Sequence, residues 1–117
     1  MHGLKLNTTM KCLSLDCNFL NDEGASVLAA ILKSNTSLGA VYLNRNHIGD
    51  IGAQDLAGML QSNKTLTHLE LSSNSIGDDG IAALSEALRS NRSLRTLHLN
   101  DNDITEIGAK HLADMLL

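Results

Sequence analysis

Apolar and polar positions along this chain return every 28 residues. Leu28, Leu56, Leu84 and Leu112 form one column, Asn18, Asn46, Asn74 and Asn102 a second, and Gly24, Gly52, Gly80 and Gly108 a third. A fixed period of this size marks a solenoid, in which copies of one supersecondary unit stack on each other. The copies run 10–37, 38–65, 66–93 and 94–117, and the last is four residues short. Residues 1–9 match the end of a unit: Leu4, Lys5, Asn7 and Thr8 fall on Leu32, Lys33, Asn35 and Thr36. They are expected to close the helix of a preceding repeat. Neither end reads as the polar cap that solenoids need, so the expectation is a segment of a longer array, or a short one that hides its ends by self-association.

Each unit has two halves. The first reads L-x-x-L-x-L-x-x-N-x-I, as in Leu66, Leu69, Leu71, Asn74 and Ile76. Leucines two apart carry the strand period, with the residue between them pointing the other way. The second half has the helical period. Ile81, Leu84, Ser85 and Leu88 make an inward stripe, as do Ala53, Leu56, Ala57 and Leu60 one repeat earlier, while Asp79, Ala82, Glu86 and Arg89 face water. Strand then helix, joined by short links, predicts parallel strands in one layer and helices in the other. Helices are wider than the roughly 4.8 Å strand spacing, so the stack must curve. The fold predicted is an α/β horseshoe arc with its strands on the concave side.

Several columns look like chemistry and are read here as architecture. The amide of Asn18, Asn46, Asn74 or Asn102 can satisfy both N–H and C=O groups of a turning backbone. Gly24, Gly52, Gly80 and Gly108 each follow an acid by two residues: Asp22, Asp50, Asp78 and Glu106. An acid there is expected to cap its own helix, and it would repel phosphate. The N-x-[ST] matches at Asn7, Asn35, Asn63 and Asn91 are read as helix closures in the left-handed conformation that asparagine tolerates, rather than as glycosylation sites. Asn100-Asp101-Asn102-Asp103 lacks the Gly and Glu of a calcium loop.

Composition narrows the function. Apolar residues make up 43% of the 117, with one Tyr, one Phe and no Trp, so the core is aliphatic. A net charge of −4 without a Lys/Arg cluster argues against nucleic acid. No apolar run approaches the roughly 20 residues of a membrane span. Cys12 and Cys17 lie roughly 16 Å apart on an extended chain, too far to bridge. Unbridged thiols favour a reducing, cytoplasmic compartment. No G-x-S-x-G or H-E-x-x-H motif is present, and neither an enzyme nor a cofactor is expected. His68, Glu70 and His98 are a conceivable zinc trio, but exposed polar residues on a concave face explain them equally well, and no metal is assigned.

With these columns in register, plus Ile48-Gly49-Asp50 and Ile76-Gly77-Asp78, the chain resembles leucine-rich repeats of ribonuclease-inhibitor type over residues 4–117. It lacks ribonuclease inhibitor's cysteines and is more similar to the repeats of NOD-like receptors, Ran GTPase-activating proteins and tropomodulins. That resemblance implies a protein-interaction module that binds on its concave face; the Ran-activating likeness also allows a regulatory domain acting on a GTPase. The residues between the leucines line that face and differ from row to row. Tyr42 and Arg45, types favoured at interface hot spots, are predicted to bind the partner together with Asp16, Asn44, His68, Glu70, His98 and Asp101.

Overall fold

The computed structural model describes residues 10–115. The helix end expected at 1–9 lies outside these residues. Strands β1 (Cys12–Ser14), β2 (Ala40–Tyr42), β3 (His68–Glu70) and β4 (Thr96–His98) alternate with helices α1 (Asn21–Leu32), α2 (Asp50–Ser62), α3 (Asp78–Ser90) and α4 (Glu106–Met115). The strands form one parallel sheet in chain order. Cys12, Ala40, His68 and Thr96 stand side by side, so the register equals the sequence period. Consecutive helices pack against each other behind the sheet. Helix axes need roughly 8–10 Å between neighbours, against about 4.8 Å for strands. The layer of helices is therefore the longer arc, and the sheet is concave.

The core lies between the two layers. Val41, Leu43, Leu69 and Leu71 meet Leu28, Leu56, Leu60 and Leu84 there, all buried. Ala53 and Ala57, with Ile81 and Leu84 one repeat later, complete the expected stripe, and Leu88 packs against it half-buried. Asp79, Glu86 and Arg89 are exposed, as their face of α3 predicts.

Three polar ladders tie each repeat to its neighbours. The first is the strand asparagine. Asn74 Oδ1 accepts the N–H groups of Asn46 and Ile48 at 3.0 Å each. Its Nδ2 donates to the carbonyls of Leu43, Leu71 and Ser72. Asn46 does the same for Asn18, Leu20, Leu15 and Asn44, and Asn102 for Ile76, Leu71 and Leu99. Asn18, in the first described repeat, donates only to its own turn, at Asp16 O.

The second ladder corrects a sequence expectation. Asn63 and Asn91 close α2 and α3 in extended, not left-handed, geometry, with φ −74° and −82°. Their side chains explain it. Asn63 Oδ1 accepts the N–H groups of Thr65 and Leu66, while its Nδ2 donates to Leu32 O and Asn35 O of the preceding repeat. Asn91 repeats the pattern against Ser93, Leu94, Leu60 and Asn63. An extended backbone is what aims the amide backwards. An amide nitrogen committed in this way is not a glycosylation acceptor.

The third ladder corrects another. The acids do not cap their own helices: neither Gly49 nor Gly77, which precede α2 and α3, receives a cap from its own repeat's side chains. Asp22 instead accepts from Gly49 and Gly52 of the next repeat, at 2.6 and 3.0 Å. Asp50 does so for Gly77 and Gly80, and Asp78 for Thr105 and Gly108. The Thr105 hydroxyl also donates to Asp78; that contact is the main reason the Asp78 carboxyl titrates below its ordinary 3.8. The reaching carboxylate explains Gly52, Gly80 and Gly108, whereas at Gly24 a Cβ would meet Leu20 Cβ at 2.7 Å. A Cβ at Gly80 would stand 2.8 Å from Asp50 Oδ1 and 2.9 Å from Ala53 Cβ.

Two stability predictions follow from this bonding. Asn74→Ala strands several buried backbone groups in two repeats at once, each costing about 1–3 kcal/mol; urea denaturation is expected to show a loss of about 3 kcal/mol or more. Ser85 is buried, and among the described residues its hydroxyl is the one buried side-chain group without a hydrogen-bond partner. Alanine fills the same column at Ala29 and Ala57. Ser85→Ala is expected to stabilise by about 1 kcal/mol in the same assay.

Candidate partner-docking face

Residues flanking the core leucines leave the sheet on its concave side. On β2, Val41 is buried between half-buried Ala40 and Tyr42; on β3, Leu69 lies likewise between His68 and Glu70. After each strand the backbone enters the left-handed region, at Cys17, Arg45, Ser73 and Asp101, with φ between 57° and 61°, and in the first two repeats it returns there at Phe19, Asn21 and His47. In the two inner repeats this kink turns the following asparagine, Asn46 or Asn74, into the core, while Arg45 stays exposed and Ser73 half-buried. The columns are legible in the sequence but this kink is not, since none of its four occupants is a glycine.

A groove of about 490 Å³ crosses all four repeats along this line. Six of the eight predicted binding residues line it: Asp16, Asn44, Arg45, Glu70, His98 and Asp101. Cys17, Ser72, Ser73 and Asn100 line it too; they occupy the columns of Asn44 and Arg45, and Asn100 repeats Asn44 two units on. Tyr42 and His68 are not among the lining residues. Their rings belong to a row on the sheet, with Tyr42 5.3 Å from His68 and His68 5.3 Å from His98, edge to face. Tyr42 and Arg45 thus serve two adjoining patches rather than one.

Glu70 joins the patches. Its Oε2 meets His68 Nε2 at 2.7 Å and His98 Nδ1 at 3.4 Å, while its Oε1 accepts from Asn44 Nδ2 at 2.8 Å. Asn44 in turn accepts the Ser72 N–H through its side chain, and its own N–H donates to Asp16. The His68 hydrogen bond, then that of Asn44, hold the Glu70 carboxyl below its ordinary 4.5. A depressed carboxyl stabilises the fold where it is ionised; this contribution is complete above 4.5 and is lost as pH falls through the lowered value. Arg45 lines the groove together with Asp16, Glu70 and Asp101.

The Leucine Rich repeat family model matches residues 6–29, 34–57, 62–85 and 90–113. This chain belongs to the leucine-rich repeat family. A solved structure described as leiomodin-1 actin-binding site 2 matches it with a TM-score of 0.92 at 26% identity, over 98% of this chain and 69% of that one. The tropomodulin C-terminal domain of Caenorhabditis elegans matches with a TM-score of 0.68 at 14% identity, over 98% and 87%, a likeness of fold alone. No curated protein matches. The leucine-rich repeats here are thus of the ribonuclease-inhibitor type, similar in fold to those of tropomodulins. Among the described residues, no helix of this leucine-rich repeat chain is long and apolar enough to cross a membrane.

The kink is open to test. A left-handed backbone costs a residue with a side chain about 1–2 kcal/mol, and glycine returns part of that gain as unfolded-state freedom. Arg45→Gly is therefore expected to stabilise the fold by about 0.5–1 kcal/mol in urea, while removing the groove's arginine.

Proposed function

We propose that this chain is a non-enzymatic docking module that holds a protein partner on its concave face, in the cytoplasm. One observation carries the reading: the columns facing the core repeat from unit to unit, whereas the rows on the concave face do not repeat one another. Core columns answer to packing. Side chains on the concave face lie outside the core, so residues such as Tyr42 and Arg45 are free to be shaped by what they contact. Its content suits an interface, with one aromatic ring on a rigid sheet, one guanidinium, and carboxylates around it. The extended surface of a solenoid suits a macromolecule better than a small ligand. The two exposed, unbridged thiols, Cys12 and Cys17, support the reducing compartment.

Actin is the partner proposed for the first test, on the strength of the leiomodin-1 likeness at 26% identity. Binding of the chain to actin is measured by co-sedimentation, beside a Tyr42→Ala/Arg45→Glu variant. Neither side chain belongs to the core, so the variant is expected to keep the wild-type circular dichroism and to bind at least about tenfold more weakly. Equal binding by the two chains overturns the concave site. Binding by neither overturns actin, and the same pair then serves as bait and control for a lysate. A protein retained by the wild type and lost with the variant restores the site with another partner.

A further inference from the structure

The concave face also carries a set of ligand atoms that the docking reading does not require. His68, Glu70 and His98 each bring one donor atom to within 4.8 Å of the other two. The sheet is responsible. His68 and Glu70 stand two apart on β3 and so share a face, and His98 is the direct neighbour of Glu70 on β4. Both strands are held by backbone hydrogen bonds, so the positions of the three residues are set before any ion arrives.

We propose that His68, Glu70 and His98 form a binding site for a divalent transition metal of the zinc class. Two imidazole nitrogens and a carboxylate oxygen around tetrahedral zinc stand about 3.3 Å apart. The separations from Glu70 Oε2 are 2.7 Å to His68 and 3.4 Å to His98, and so bracket that value. The widest pair of donors needs to close by at most about 1.5 Å, within reach of imidazole rotation. Asn44 Nδ2 holds the second carboxylate oxygen at 2.8 Å, the kind of outer contact that orients a metal-binding carboxylate. Nitrogen donors select zinc, nickel or copper over magnesium and calcium, which want oxygen. On binding, the His68–Glu70 hydrogen bond is exchanged for one metal bond to each residue, the neutral His68 ring offering its Nε2 lone pair and carrying its proton on Nδ1. The fourth position of the ion takes water, on the open side of the sheet.

The test uses the free chain and the metal alone. Calorimetric titration with zinc chloride at neutral pH is expected to show one equivalent bound, with no response to calcium. Cobalt at the same site is expected to give the visible bands of tetrahedral coordination. His68→Ala and His98→Ala should each weaken zinc binding by at least about tenfold, a bound already reached when only an outer partner of a metal site is lost. Circular dichroism reports whether each variant folds. Should either unfold, imidazole signals of the wild type decide: those of His68 and His98 are expected to shift at one equivalent, with His47 and His111 unmoved. Two results overturn the site. One is a wild type that shows no saturable binding; the other is a His68→Ala/His98→Ala chain that binds as tightly as wild type, which moves the metal to the remaining histidines.

Discussion

Everything in this structure depends on the inability of one repeat to satisfy its own turning backbone. Between strand and helix the chain reverses inside the protein, where unpaired N–H and C=O groups are costly. A single buried amide, Asn74, answers for five of these groups, and they belong to two different repeats. The turn of one unit is therefore completed only when the next is in place. Hydrophobic burial supplies the main driving force, but Leu69 and Leu71 would pack as well with the neighbour slightly out of line. Directional hydrogen bonds at a fixed offset are what make the stack regular.

The three ladders run along the turns and helix ends, so most of the open face of the sheet is spared this duty; Asp16 and Asn44 are exceptions, their side chains accepting the N–H groups of Asn44 and Ser72 one repeat on. The other side chains of that face can vary at little structural cost, and that is where the chemistry collects. Glu70 shows the result: a carboxylate on a rigid strand, held by His68 on one side and by Asn44 on the other. The same scaffold can present a groove for a macromolecule and a small set of ligand atoms for an ion, since each needs only side chains that vary on positions that do not.

The columns of Asn46 and Asn74, the helical stripe of Ala53, Leu56, Ala57 and Leu60, and the parallel register were legible because each is a local pattern repeated in step. What a perfect period hides is which copy a residue serves. Asp50 precedes Gly52 in its own repeat and Gly80 in the next by the same pattern, and periodicity alone cannot choose between them; the hydrogen bonds go to the next. Asn63 misled for a related reason, since its amide reaches a preceding helix end, a demand the local sequence does not display. The left-handed backbone at Arg45 left no trace because the surrounding ladder, not a glycine, enforces it. Tyr42 and Arg45 are three residues apart, and the kink between strand and turn sends them to different patches. The nearness of His98 to Glu70 follows from strand register; whether their side chains converge does not.

The acid ladder also bears on how such a chain changes length. The starts of α2, α3 and α4 borrow their acceptor from the unit before, and the turns after β1, β2 and β3 borrow an amide from the unit after. Deleting or inserting a handful of residues breaks both loans at the same joint. Removing or duplicating 28 residues between equivalent positions, by contrast, rejoins Asp22 to a Gly80 that stands where Gly52 stood. Insertions and deletions tolerated here should come in whole multiples of the period, which makes repeat number, rather than loop length, the variable that recombination can tune.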